Sequence, residues 1–196
     1  MQIILDFWRK STQFFITYYW LKRCIFAQKF DFYANMELQE QLKQEAIALG
    51  ACEEGIANWG EPDLDELCRK YFKYQDFCVQ HDWPSIEQIK QFGDVKVGTR
   101  GIYVNCNGDC PSKRDMAFLG NADMYVYVKC PCNITLRHNA KVNVILEVNE
   151  LCYISMYDDC KLNVISKNPK GRIAVSYWSG EIENKELIDK IYNKTK

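Results

Sequence analysis

Two stretches of the chain, 20 residues apart, share nearly the same alternation of apolar and polar residues. In both, small or apolar side chains take every second position, with polar side chains between them. Shifting 133–145 onto 153–165 matches Ile134 with Ile154, Leu136 with Met156, Lys141 with Lys161, Val142 with Leu162, Asn143 with Asn163, Val144 with Val164, and Ile145 with Ile165. Period-two alternation repeated at a fixed interval predicts stacked β-coils in which equivalent residues lie above one another.

Two further runs with the same alternation, 122–128 and 171–175, bring the number of candidate rungs to four. About three rungs must stack before they share a stable core. A strip of small residues at one register fits a tight corner; its members are Ala122, Ala140, Cys160 and Gly171. An antiparallel meander or sandwich also alternates between frequent turns, but the fixed offset favours a solenoid.

Residues 36–93 follow a helical period instead. The signals are an apolar stripe at Leu38, Leu42, Ala46, Ile47 and Leu49 before Gly50, a helix start near Pro62 with apolar positions through Cys78, and a capping box over Ser85–Gln88. We therefore expect a small helical cap over 36–93, covering the open end of a β-solenoid that spans 94–180.

The ends of the solenoid carry weaker signals. Asn107-Gly108 predicts a hairpin after a strand over 101–106. Residues 181–196 predict a C-terminal helix, with apolar positions at Leu187, Ile188, Ile191 and Tyr192. The predicted fold class is thus α+β: a small N-terminal helical cap, a short irregular β-solenoid (β-helix) and a C-terminal helix.

Residues 1–35 differ from the rest in being crowded with Phe, Tyr, Ile and Lys. Their longest apolar run is shorter than the roughly 20 residues that span a bilayer. Three interpretations stay open: a membrane-surface segment, a helix that docks on the domain, or a non-native extension translated from upstream of an ordinary start at Met36. We expect poor packing before Asn35 in any case.

Charge and cysteine content narrow the function classes. The net charge is −1, with acids and bases interspersed, which argues against binding to nucleic acid or to a charged membrane surface. The ten cysteines lack the dense framework of small secreted modules, so reduced thiols in a cytoplasmic protein are expected. Phosphate-binding loops, nucleophile elbows and dinucleotide fingerprints are missing from the sequence, which favours a non-enzymatic protein.

Two sets of residues are candidate sites. Outward side chains of the rungs could bind a protein partner or a glycan; they are Tyr103, Tyr125, Tyr127, Lys141, Asn143, Tyr153, Lys161 and Asn163. The alternative is an ordinary solvated β-face. Four thiols could hold a tetrahedral zinc ion, the one cofactor considered; they are Cys106, Cys110, Cys130 and Cys132. A catalytic pair of Cys160 with His138 is conceivable, but a plain turn histidine is favoured.

Several motifs together resemble a known group of proteins. They are the aromatic line from Tyr71 to Ser85, the run Gly101-Ile102-Tyr103-Val104, Gly120-Asn121-Ala122, Asn139-Ala140-Lys141-Val142, and Cys160-Lys161-Leu162-Asn163-Val164. Over about residues 60–176 the chain resembles uncharacterised proteins of phages and prophage-like elements of gut Bacteroidales, in which a short helical head precedes β-solenoid rungs. The resemblance implies a mobile-element context and supports a start at Met36. It carries no catalytic residues.

The sequence thus predicts a non-catalytic binding or structural protein that uses a flat solenoid face. Its partner would be a protein or virion component, and its location the host cytoplasm or the virion. Two alternatives stay open. One is a carbohydrate-binding or carbohydrate-active β-helix protein, for which Asp123 and Asp159 are the obvious acids; the other is a zinc-stabilised regulator.

Overall fold

The computed structural model describes residues 37–57, 59 and 63–195. The chain divides into two compact units, Met1–Glu61 and Pro62–Lys196. In the first, helix α1 covers residues 37–48 and helix α2 covers Glu53–Ala57. Gly50, at φ 85°, follows α1 as predicted. The predicted extension over 1–35 lies outside the described residues.

The second unit begins with short helices. They are α3 (Leu64–Lys73), α4 (Gln75–His81), α5 (Ile86–Gln91) and α6 (Asp94–Gly98). The Ser85–Gln88 capping box is confirmed at the start of α5. The helical pattern predicted to continue to Cys78 is divided at Tyr74, where α3 ends and α4 begins. Helix α6 was not predicted.

The rest of the unit is a two-sheet β-solenoid with parallel pairing throughout. Sheet A contains β1 (Ile102–Val104), β3 (Asp115–Leu119), β5 (Cys132–Leu136), β7 (Leu151–Met156), β9 (Arg172–Tyr177) and β11 (Lys190–Asn193). Sheet B contains β2 (Asn107–Pro111), β4 (Asp123–Val128), β6 (Lys141–Leu146), β8 (Lys161–Lys167) and β10 (Glu181–Glu183). The chain alternates between the sheets, so each of the five coils contributes one strand to each sheet, and β11 adds a sixth strand to sheet A.

The predicted stacking of equivalent residues is confirmed. Lys141 pairs with Lys161, Val142 with Leu162, Asn143 with Asn163 and Val144 with Val164; in sheet A, Ile134 pairs with Ile154 and Leu136 with Met156. The expected pair of Ile145 with Ile165 is wrong. A β-bulge after Val144 pairs Ile145 with Ser166 and leaves Ile165 42% exposed.

The core lies between the two sheets. Inward side chains from successive coils form columns, such as Val126, Val144 and Val164 from sheet B and Ile134, Ile154 and Val175 from sheet A. Each of these six side chains is at most 1% exposed. Burying such columns supplies most of the hydrophobic stabilisation of a stacked fold.

Two features of the predicted rungs need correction. The run 171–175 is part of β9, which pairs with β7 in sheet A and is not a fourth rung beside β8. The corner strip of Ala122, Ala140 and Cys160 therefore continues at Gly180, not Gly171. A side chain at Gly180 would collide with the carbonyl oxygen of Cys160, so the close approach of the two coils requires glycine here.

Two predictions about the ends of the solenoid are wrong. Asn107 and Gly108 begin β2 instead of closing a hairpin; the corner lies at Asn105, whose φ is 47°, and the chain changes sheets there. Residues 181–193 form β10, a 3₁₀ turn at Lys185–Leu187 and β11, not a helix. The backbone N–H and C=O groups along the open edges of β8 and β9 need hydrogen-bond partners. Strands β10 and β11 provide them by pairing in parallel with β8 and β9.

Within the second unit, the helices contact the outer face of sheet A. The Gln75 side chain donates to Thr135 Oγ1, and Arg137 Nη2 lies 3.0 Å from Asp82 Oδ1. Arg137 Nη1 also lies 3.5 Å from the carbonyl oxygen of Cys78. These contacts bury outward residues of the first coils. That the helical segment as a whole covers an end of the solenoid stays a prediction.

Candidate binding face

The outer surface of sheet B is a flat grid of side chains, which we call the sheet B face. One column contains Asn107, Asp123, Lys141, Lys161 and Glu181; the next contains Asp109, Tyr125, Asn143, Asn163 and Glu183; a third contains Pro111, Tyr127 and Ile145. Six of the eight residues predicted to bind a partner lie on this face. Parallel in-register pairing brings them together although they come from three coils.

A ladder of asparagine amides fixes the middle of the face. Asn163 Nδ2 donates to Asn143 Oδ1 at 3.0 Å, and Asn184 Nδ2 donates to Asn163 Oδ1 at 2.9 Å. Asn184 Nδ2 also lies 3.1 Å from the carbonyl oxygen of Val164. Each amide of the ladder is held by its neighbour, so the surface is ordered before a partner arrives, which lowers the entropic cost of binding.

The face carries charges of both signs. Lys141 and Lys161 stack at its centre, with Asp123 before them and Glu181 after them. Glu181 forms an ion pair with Lys161, and this hydrogen bond raises the pKa of Lys161 above its ordinary value. A mixed pattern of this kind gives no uniform field for a polyanion and can instead match complementary charges on a protein surface.

Two large side chains on this surface are open to solvent. Tyr125 is 41% exposed, and Tyr127 beside it is half-buried. Ile165, which lies at an outward position of β8 two residues after Asn163, is 42% exposed and was missing from the predicted site. Alternation along β8 places Ile165 on the same side as Lys161 and Asn163, so the sequence carried a signal for this exposed position, although the predicted site named only tyrosine, lysine and asparagine residues.

Tyr103 and Tyr153 lie elsewhere. Tyr103 points into the solenoid and stacks on Phe118, with ring centroids 5.0 Å apart, and burial raises its pKa. Tyr153 lies on the outer surface of sheet A, where its hydroxyl shares a hydrogen bond with Ser176. Both residues lie in strands that alternate apolar and polar positions, but these strands belong to sheet A. Alternation alone does not distinguish strands of sheet A from strands of sheet B.

The four cysteines proposed as zinc ligands each meet a different group. Cys106 Sγ lies 3.7 Å from Met124 Sδ, Cys130 Sγ lies 3.3 Å from Ser112 Oγ, and Cys132 Sγ lies 3.6 Å from Cys152 Sγ. The thiol of Cys110 interacts with Tyr103, and burial raises its pKa to about 11. Among the described residues, no group of three metal-binding side chains converges. The zinc site therefore stays a prediction that this geometry does not support.

His138 is held by contacts other than the conceivable one with Cys160. Its Nδ1 accepts a hydrogen bond from the backbone N–H of Gly120 at 3.1 Å, and its Nε2 lies 3.0 Å from Asp82 Oδ1. Burial raises the pKa of Cys160 to about 12, which keeps this thiol protonated and a poor nucleophile near neutral pH. The pair therefore offers no catalytic centre.

Sequence reasoning missed the charged cluster around Arg137. This side chain is 6% exposed and meets Asp82 at 3.0 Å and Asp158 at 3.5 Å. Burial alone would raise the pKa of Asp82, but the hydrogen bond from His138 and the charge of Arg137 lower it below 3.8. The cluster joins the end of α4 to two corners of the solenoid, which gives it a structural role.

A second aromatic group lies where two strands of sheet A end, directly after β7 and β9. Tyr157 and Trp178 stack with centroids 4.5 Å apart and an interplanar angle of 22°. Trp178 is 37% exposed and Tyr192 is 39% exposed. Stacked rings open to solvent can also receive the apolar face of a sugar ring.

Comparison of the chain with protein-family models, with curated proteins and with solved structures finds no match. In the part of the chain that the structure describes, no helix combines the length and apolar character needed to cross a bilayer.

Proposed function

We propose that this protein is a non-catalytic binding or structural protein of a phage or prophage-like element, and that it docks a protein partner on the sheet B face. The observation that supports the proposal is that six of the side chains predicted to bind a partner, from three coils, lie together on one exposed surface. Its location would be the host cytoplasm or the virion, and its partner a host protein or a virion component.

The composition of the face supports a protein partner. Tyrosine is enriched at interface hot spots because it combines a large apolar ring with a hydroxyl and few rotatable bonds. Tyr125 and Ile165 supply apolar area, the asparagine ladder supplies ordered polar contacts, and Lys141 with Asp123 supplies charges of both signs for orienting a partner. This is the mixture found in interfaces that form between soluble proteins.

Site-specific photo-crosslinking tests the proposal. A photoreactive residue replaces Tyr125 in one variant and Tyr192 in another, because both side chains are about equally exposed on different faces. The two variants are mixed with lysate of the infected or induced host and with purified particles. We expect one protein to be crosslinked through position 125 and not through position 192.

The point variant Tyr125→Asp then refines the result. When this variant is immobilised, it should retain at least tenfold less of the partner identified by crosslinking than the wild-type chain does. Immobilised Tyr192→Asp should retain the partner as wild type does. Equal crosslinking at the two positions, or unchanged retention by Tyr125→Asp, would contradict docking on the sheet B face.

Carbohydrate binding is the second candidate, and the stacked Tyr157–Trp178 pair favours it. An array of bacterial surface glycans probed with the purified chain distinguishes the two. Binding that is lost in Trp178→Ala and kept in Tyr125→Asp would assign the protein to glycan recognition through sheet A. We propose no glycan cleavage, because Asp123 lies on a strand of sheet B and Asp159 in the turn after β7.

A further inference from the structure

Two cysteines face each other in the core where the third coil meets the fourth. Cys132 in β5 and Cys152 in β7 are paired in register, and their Sγ atoms are 3.6 Å apart. In the described residues, no other pair of thiols shares a hydrogen bond. We propose that Cys132 and Cys152 are a peroxide-reactive dithiol whose oxidation links the two coils by a disulfide. This modification site is independent of the sheet B face.

The backbone geometry suits such a link. Neighbouring strands lie about 4.8 Å apart, which falls inside the Cα separation of roughly 4.4–6.8 Å that disulfides span. The two sulfur atoms must close from 3.6 Å to about 2 Å, which rotation of the two short side chains can provide. Both side chains already point to the same side of sheet A, because they are in-register residues of parallel strands.

The two thiols are not equivalent. Cys132 is 4% exposed and Cys152 is fully buried, so an oxidant meets Cys132 first. The hydrogen bond between the two thiols lowers the pKa of Cys132, while the same bond and burial raise the pKa of Cys152. Thiolates are the nucleophiles in thiol oxidation, so Cys132 is the attacking residue and Cys152 the resolving one.

The reaction balances with hydrogen peroxide as the oxidant. The Cys132 thiol loses its proton, and its thiolate attacks one oxygen, forming an S–O bond as the O–O bond breaks and hydroxide leaves. This hydroxide takes up the proton from Cys132 and becomes the first water. The Cys152 sulfur then attacks the sulfur of the resulting sulfenic acid, forming the S–S bond as the S–O bond breaks. The leaving hydroxyl takes the Cys152 proton and departs as water. Two thiols and one peroxide thus give one disulfide and two waters.

Mass spectrometry of the full chain tests the site. The reduced protein is treated with hydrogen peroxide, alkylated and digested with trypsin. Cleavage after Lys129, Arg137, Lys141 and Lys161 leaves Cys130 and Cys132 on one peptide and Cys152 and Cys160 on another. We expect these two peptides to become disulfide-linked in most of the wild-type chains.

Single variants assign the linked residues. The link should persist in Cys130→Ser and Cys160→Ser, and disappear in Cys132→Ser and Cys152→Ser, with folding checked by circular dichroism. In Cys152→Ser, dimedone should trap a sulfenic acid on Cys132; in Cys132→Ser, Cys152 should stay unlabelled.

The wild-type experiment decides the proposal even where a variant fails to fold. The exposed thiol of Cys52 reports that peroxide reached the protein. Oxidised Cys52 without linked peptides overturns the proposal, as does a link that survives in Cys132→Ser. Trapping on Cys152 in the wild-type chain would overturn the assigned order of attack.

Discussion

The outer faces of the two sheets are built on the same repeat but meet different surroundings. On sheet A, outward residues of the second and third coils are buried: Ala117 is 0% exposed and Thr135 3%. On sheet B, Tyr125 and Lys141 occupy outward positions in these same coils and are exposed. Contacts from the helices account for part of the difference, as between Gln75 and Thr135. The covered positions of sheet A therefore contribute to stability through packing, whereas the equivalent positions of sheet B stay exposed to solvent.

The strands themselves encode this difference. Strand β3, from Asp115 to Leu119, is apolar at nearly every position and is buried on both sides. Strand β4, from Asp123 to Val128, alternates strictly and is buried on one side. A strand covered on both faces carries a continuous apolar run, whereas a half-exposed strand alternates. The continuous run in β3 thus marks the covered sheet.

The largest contrast should come from placing a carboxylate on each face. Ala117→Asp puts a charge at a position with no exposure, so we expect about 4 kcal/mol or more of lost stability, or failure to fold. Tyr125→Asp places the same group in solvent and should change stability by less than about 1 kcal/mol. Urea unfolding followed by circular dichroism measures both. Similar losses for the two variants would show that the sheet B face is also covered.

A second contrast compares two cations, Arg137 on the side of the helices and Lys141 on the sheet B face. Arg137→Ala removes a buried guanidinium that meets Asp82 and Asp158. Because both carboxylates keep access to water, we expect a loss of about 2–3 kcal/mol, below that of a fully buried pair. Lys141→Ala should cost less than about 0.5 kcal/mol.

The same denaturant titration measures both cation variants, and proteolysis adds a local measurement. Cleavage near α4 should accelerate in Arg137→Ala and stay unchanged in Lys141→Ala. If the two variants lose equal stability, the Arg137 cluster does not hold α4 on the solenoid.

The coil register could be predicted from the sequence because exact stacking is a consequence of the repeat. Val142 above Leu162 and Val144 above Val164 follow from the 20-residue offset and period-two alternation. The assignment of strands to sheets could not be predicted in this way, since both sheets alternate. For that reason the sequence pattern does not distinguish Tyr103 and Tyr153 from the sheet B residues, or β9 from a strand that pairs with β8.

Other misses came from contacts between residues distant in sequence. Arg137 is buried through Asp82, which precedes it by more than 50 residues on a different element. The pair Cys132–Cys152 follows from the repeat, yet the close spacing of Cys130 and Cys132 suggested zinc instead. The terminal helix was predicted from apolar spacing alone, whereas the open edges of β8 and β9 determine the conformation of residues 181–193.

The smallest contrast is in how the free energy of unfolding depends on pH. The contribution of Asp82 should be lost as the pH falls, whereas that of Lys161 should be lost as the pH rises. Asp82, beside Arg137, has a pKa below its ordinary 3.8, so its ionised form stabilises the fold above that value. This stability is lost as the pH falls through the lowered pKa. Unfolding free energies from pH 7 to pH 2 should therefore converge for wild type and Asp82→Asn at the acid end.

Lys161 on the sheet B face provides the opposite case. Its hydrogen bond with Glu181 raises its pKa above 10.5, so its small stabilising effect is present below that value and is lost as the pH rises through the raised pKa. Lys161→Gln should differ from wild type slightly at neutral pH and converge with it in alkali, where Lys161 loses its proton, and also in strong acid, where Glu181 gains one. A difference for Lys161→Gln that persists in strong alkali, or convergence of Asp82→Asn in alkali, would contradict the assigned ion pairs. Because Lys161 and Glu181 are both exposed to solvent, the effect of Lys161 should also fade in high salt before that of Asp82, whose partner Arg137 is buried.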